Sequence, residues 1–159
     1  MDQFEGSKET SPEYHLRQAT ETDVELMFKL QHLDGKDTDS SDADQGLQLE
    51  KYRSDFNPSE IQVIELQGRS VGRLRVVRGD AIYIGGIQIL PEWRGKGIGT
   101  QTIEHLIHEA DEKLVPITLE VRHNNTEAFN LYERLGFQVV EEDEIQKMMR
   151  YEPQTKTPS

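Results

Sequence analysis

The sequence predicts an α/β fold, a mixed, mostly antiparallel twisted sheet flanked by helices, and three observations predict it. Short apolar runs alternating with period two follow one another through the middle of the chain, joined by tight-turn residues. Two longer stretches in the C-terminal half repeat their apolar residues at helical spacing, each followed by another strand-like run. Between the two patterns lies Ile82 to Thr100, IYIGGIQILPEWRGKGIGT, in which a strand runs into a glycine-rich turn that opens a helix. A chain of 159 residues suits one domain with a real core. We place that domain at 13–152, after a polar, disordered lead-in at 1–12 and before a polar tail at 153–159.

Tyr14 to Ala19 reads as a first strand, and apolar residues at 24, 26, 27, 30 and 33 make Asp23 to Leu33 a helix that Thr20 or Thr22 can cap. Asp34 to Asp44, with five aspartates and one lysine, reads as loop. Gly46 to Phe56 has apolar residues at 47, 49, 52 and 56 and predicts a short helix. Ile61 to Leu66 and Ser70 to Val77 form a hairpin around Gln67-Gly68-Arg69, and Arg78-Gly79-Asp80 turns the chain into the next strand. That strand carries Ile82, Ile84, Ile87 and Ile89, with Gly85-Gly86 where a bulge would bend it and Pro91 at its end. Gly99 to Leu114 is a helix with Ile103, Leu106, Ile107, Ala110 and Leu114 on one face, stopped by Pro116. Ile117 to Val121 is a strand. Thr126 to Leu135 is a helix with Ala128, Leu131, Tyr132 and Leu135 on its apolar face and Gly136 closing it. A strand pair at 138–140 and 145–151 ends the pattern.

Thirty acidic against 18 basic residues leave a net charge of −12, which argues against nucleic acid or an anionic membrane surface as partner and favours cationic ones. The absence of cysteine removes disulfides and thiol nucleophiles and suits a reducing, cytoplasmic setting. No apolar run approaches the roughly 20 residues that span a bilayer, and the polar N-terminus lacks the apolar core of a signal peptide.

Glycines at 95, 97 and 99 let backbone N–H groups turn towards a ligand, the helix that follows aims the positive end of its dipole at the same place, and Arg94 and Lys96 add two charges. Together they make an anion cradle. A Walker loop is excluded because Gly97 follows Lys96, and the dinucleotide fingerprint because Thr100 stands where its third glycine belongs. Glu120 lies on the polar face of its strand, opposite Ile117, Leu119 and Val121. Asn125 can cap the helix it precedes, and Tyr132 lies on that helix's apolar stripe. His105 and His108 share a helix face without a third ligand nearby, so no metal is assigned. Trp93 sits beside the cradle, as a platform or as packing.

Arg94, Gly97 and Gly99 match Gln/Arg-x-x-Gly-x-Gly/Ala directly after a strand. Here the chain resembles the GNAT superfamily of N-acetyltransferases, from Ile82 through the segment Asn125 to Phe137 and more loosely back to about Tyr14. The resemblance implies that Arg94, Gly95, Lys96, Gly97, Ile98, Gly99 and Thr100 hold the pyrophosphate of acetyl-CoA. It implies that splayed central strands let Ile87, Gln88 and Ile89 pair with the pantetheine arm, with a backbone N–H polarising the thioester carbonyl. Asn125, before Ala128, would bond the arm or nearby backbone. Tyr132, in Leu131-Tyr132 before Gly136-Phe137, would protonate the leaving thiolate, a transfer that a phenol of pKa about 10 and a thiol near 8.5 allow. Glu120, in Leu119-Glu120-Val121-Arg122, resembles the glutamate of enzymes that acetylate protein N-termini and would deprotonate the amine directly or through water. The histone-type branch places its base on the earlier strand, where this chain has Gln88.

The function implied is N-acetyl transfer from acetyl-CoA to a primary amine in a ternary complex. Direct transfer is preferred because no cysteine exists and no serine lies in a nucleophile motif. A small or cationic amine is the expected acceptor; the acidic loop 34–44 is either solvated surface or a segment that would concentrate such an amine. A protein N-terminus or lysine is the first alternative, a non-catalytic acyl-CoA-binding module the second; a homodimer stays open.

Overall fold

The computed structural model describes residues 14–33 and 42–154. Among the described residues, seven strands, β1 (Tyr14–Gln18), β2 (Ile61–Leu66), β3 (Arg69–Arg78), β4 (Ile82–Ile89), β5 (Ile117–Arg122), β6 (Gln138–Glu142) and β7 (Gln146–Tyr151), form one sheet in the order β1-β2-β3-β4-β5-β7-β6. β1–β2, β5–β7 and β6–β7 pair antiparallel and β4–β5 parallel, so the sheet is mixed as the sequence predicts. Among the described residues the α-helices are α1 (Val24–Gln31), α2 (Asp42–Asp55), α3 (Ile98–Lys113) and α4 (Thr126–Arg134). The predicted lead-in and residues 155–159 of the tail lie outside the described residues, as do residues 34–41 of the acidic segment. The backbone of Asp42 to Asp44 corrects the loop expected there, since α2 begins at Asp42.

The chain divides into two compact units, Met1–Leu74 with Gln88–Arg94, and Arg75–Ile87 with Gly95–Ser159. In the first, Met27 and Leu30 of α1, Ala19, and Ile61 and Val63 of β2 form a buried cluster. Tyr52 and Phe56 at the end of α2 and Leu90 pack against it. Removing Leu30 down to alanine would cost about 2–5 kcal/mol by the usual cavity scale. Arg17 of β1 ties this unit to the start of α1: its guanidinium donates to both oxygens of Asp23 at 2.9 and 3.0 Å and to Glu65 at 2.6 Å. Those bonds raise the Arg17 pKa and hold the Asp23 carboxyl below its ordinary value. The hairpin turn is tighter than predicted, two residues at Gln67 and Gly68, both with positive φ, as a primed turn needs. Gly72 of β3 lies so close to β4 that a Cβ would come within 2.8 Å of the Gln88 carbonyl oxygen.

In the second unit α3 buries Ile98, Thr102, Ile103, Leu106 and Ala110. β5 alternates as expected, with Ile117, Leu119 and Val121 buried and Glu120 exposed. Arg78, at the end of β3, and Lys113 both bond Glu109, at 2.5 and 2.8 Å, and Arg78 first of all pulls the Glu109 pKa down to about 2. Leu114 does not join the apolar face assigned to it. It caps α3 in the left-handed region, φ 58°, and is 59% exposed, since the helix stops one residue earlier.

Candidate functional site

β4 ends at Ile89, and a 3-10 turn at Pro91–Trp93 leads into the cradle. Arg94 is exposed, and its Nε donates to the Ile89 carbonyl oxygen at 2.9 Å, which folds the guanidinium stem back along the strand end. Gly95 and Gly97 adopt φ of 77° and 83°, and the space where a side chain would project from either is open. Both are thus in a backbone region that L side chains rarely adopt, as the sequence requires. Gly99, expected as the first residue of the helix, lies one residue inside it: α3 begins at Ile98, and Gly99 has no positive φ. The first helical hydrogen bond at this end runs from Gln101 N to Gly97 O at 2.9 Å. The N–H groups of Ile98, Gly99 and Thr100 therefore point out of the helix end, where the dipole favours an anion. Lys96 is exposed beside them, the Ile98 side chain is buried, and Trp93 is half-buried.

Within the second unit the parallel pairing of β4 with β5 covers only Ile82↔Ile117, Tyr83↔Thr118 and Ile84↔Leu119. Beyond Ile84 the strand continues through Gly85, Gly86 and Ile87, while β5 runs to Arg122 with its other edge paired to β7. The strands part at Gly85, which leaves backbone donors and acceptors of β4 for another extended chain. A Cβ at Gly85 would lie 2.3 Å from Nη1 of Arg75, so the end of that side chain would have to move to admit one.

Glu120 is exposed on this polar face, and the Tyr83 hydroxyl donates to its Oε1 at 2.8 Å. Burial first, and the bond to Glu120 second, raise the Tyr83 pKa, against an opposing effect of Arg75. Tyr83 was not among the residues singled out from sequence. Its signal was there: it is the polar-capable residue between the buried Ile82 and Ile84, and parallel register with Thr118 sets it diagonally from Glu120.

Asn125 caps α4, its Oδ1 accepting from Ala128 N at 3.2 Å, as the sequence predicts. Tyr132 is 8% exposed and its ring lies 5.5 Å from that of Phe137, so it is a core residue in packing. Its hydroxyl nonetheless has no hydrogen bond among the described residues, and burial pushes its pKa up to about 12. Gly136, φ 106°, turns the chain out of α4. His105 and His108 are exposed on α3, and His108 pairs with Glu112 at 3.2 Å.

An acetyltransferase (GNAT) family model matches residues 25–137. The chain belongs to that family. Among its relatives, the [ribosomal protein bS18]-alanine N-acetyltransferase of Salmonella typhimurium is 39% identical over 59 residues, 36% of this chain and 40% of that one. The peptidyl-lysine N-acetyltransferase YjaB of the same organism is 31% identical over 103 residues, 62% of this chain and 64% of the other. The chain thus matches under two thirds of the length of either relative. In fold it is similar to the PaiA N-acetyltransferase of Thermoplasma acidophilum, crystallised with coenzyme A: TM-score 0.67, 16% identity, over 88% of this chain and 99% of that one. Among the described residues, no helix is long and apolar enough to cross a membrane.

Proposed function

We propose that the chain is an acetyl-CoA-dependent N-acetyltransferase that passes the acetyl group directly to a primary amine. The parting of β4 from β5 after Ile84↔Leu119 supports this most, because it frees a strand edge leading towards a positive-φ glycine turn at a helix start. Acetyl-CoA supplies an activated thioester, and the residues present suit it. Gly95 to Thr100 offer backbone N–H groups and a helix dipole to the pyrophosphate, with Arg94 and Lys96 adding charge. Ile87, Gln88 and Ile89 offer strand hydrogen bonds to the arm, and Asn125 caps α4.

Glu120 then takes the amine's proton, directly or through water, and Tyr83 holds that carboxylate by its hydroxyl. Tyr132 serves the departing thiolate as hydrogen-bond donor and proton source: burial, by raising the phenol to about 12, keeps the proton in place at neutral pH while making the group a weaker acid, and its hydroxyl is not engaged elsewhere. A tyrosine kept protonated on this helix weighs against a non-catalytic module, which has no use for a proton donor.

Calorimetric titration of CoA into the parent and Gly97→Val tests the cradle. A β-branched residue at φ 83° is strained and obstructs the approach, so binding should weaken at least about tenfold. Equal affinity would move the cradle elsewhere.

A further inference from the structure

Arg73 of β3 is 5% exposed, a guanidinium taken almost wholly out of water. Its Nη1 donates to Oε1 of Gln88 on β4 at 2.9 Å, and its Nη2 donates to Oε1 of Gln31, the last residue of α1, at 3.2 Å. All three residues belong to the first unit. Arginine has donors only, so both glutamines must turn their amide oxygens to it. Their NH2 groups then point away from Arg73, and neither makes a hydrogen bond among the described residues. Gln31 is exposed and Gln88 half-buried, so these donors remain open to a ligand.

The result is two amides fixed as donors by a buried cation, one of them on the strand along which the acetyl group is proposed to lie. Left to itself, a glutamine side chain presents a donor or an acceptor as its partner demands. Held this way it suits an oxygen lone pair and not an ammonium, which brings donors of its own.

We propose that Gln31 and Gln88, oriented by Arg73, bind a carbonyl or carboxylate oxygen of the acceptor, so that the substrate class is amino-acid and peptide amines rather than polyamines. This rests on the acetyl transfer proposed above. Gln31 and Gln88 are the specificity residues, while Arg73 acts through them as a positioning residue.

The test is acetyl transfer to a glycine-led tripeptide, free glycine and 1,4-diaminobutane, with CoA calorimetry alongside. The tripeptide or glycine should exceed diaminobutane in kcat/KM, and the larger of the two distinguishes a peptide carbonyl from a carboxylate. Gln31→Glu keeps the size and the bond to Arg73 but removes the NH2 donors. It should cut the preference for the oxygen-bearing amine by at least about fivefold through KM for that amine, with KM for acetyl-CoA as in the parent. A merely structural role for Gln31 would survive that change. Gln31→Leu, at an exposed position, should act in the same direction. A parent that favours diaminobutane or treats the three amines alike overturns the proposal, as does a Gln31→Glu variant that keeps the preference. So does failure to acetylate any oxygen-bearing amine while CoA still binds. Loss of CoA binding in the parent would instead sink the acetyltransferase proposal itself.

Discussion

Tyr83 and Tyr132 are both phenols whose surroundings keep them protonated, yet the two regions use this in opposite ways. Tyr83, half-buried on β4, has already committed its proton to Glu120, so its hydroxyl is part of a side-chain pair spanning two strands. Tyr132, buried on α4, has its pKa raised by desolvation alone and no described partner for its hydroxyl. A raised pKa therefore does not assign a role. The hydrogen-bond partner does: an occupied hydroxyl positions its neighbour, whereas an unoccupied one is available to an incoming group.

Replacing each tyrosine in turn sharpens this contrast. Tyr132→Phe keeps the ring against Phe137 and should lower kcat by about 10²-fold with little change in KM for acetyl-CoA. Unchanged turnover would make Tyr132 a core residue and nothing more.

The same variant has a signature in alkaline stability. Tyr132 titrates near 12 when folded and near 10 when unfolded, so between those values the unfolded chain loses the proton first. Its contribution is complete below pH 10 and is lost as pH rises through about 12. Parent stability should accordingly fall by roughly 2–3 kcal/mol more than that of Tyr132→Phe over this window, measured by urea unfolding. Parallel profiles would mean that the hydroxyl is not desolvated.

Glu120→Gln should slow the reaction about tenfold at pH 7, a smaller effect because the side chain is exposed and water can substitute. The deficit should close as alkaline pH supplies free amine, and a pH–rate profile identical to the parent's would take the base role from Glu120. The smallest effect belongs to Tyr83→Phe, which leaves the carboxylate in place but unheld. A loss of a few-fold in kcat/KM is expected, and none at all in the Glu120→Gln background if Tyr83 acts through Glu120. An additive loss there would show Tyr83 acting independently.

Much of the architecture was legible in local pattern. Period-two runs marked the strands, the stripe around Leu106 and Ala110 marked α3, and Asn125 before Ala128 marked the cap of α4. The positive φ of Gly95 and Gly97 was legible too, because glycine is the residue type that accepts it. Errors arose where neighbouring sequence does not decide a boundary. α3 began one residue earlier than Gly99, Leu114 fell just past its end, and Asp42 to Asp44 joined α2 instead of the acidic loop. One residue at a helix end changes which side chains face inward.

By itself, then, the sequence determined the elements, the two positive-φ glycines of the cradle and the identity of the chemical groups available, since these depend on each residue and its near neighbours. Only the tertiary structure decided which groups meet. Tyr83 reaches Glu120 across 37 residues and Arg73 reaches Gln31 across 42, and β4 leaves β5 after three paired residues. Such contacts depend on strand order and register. A one-residue slip in pairing would turn Tyr83 or Glu120 to the other face while leaving every local pattern as it is.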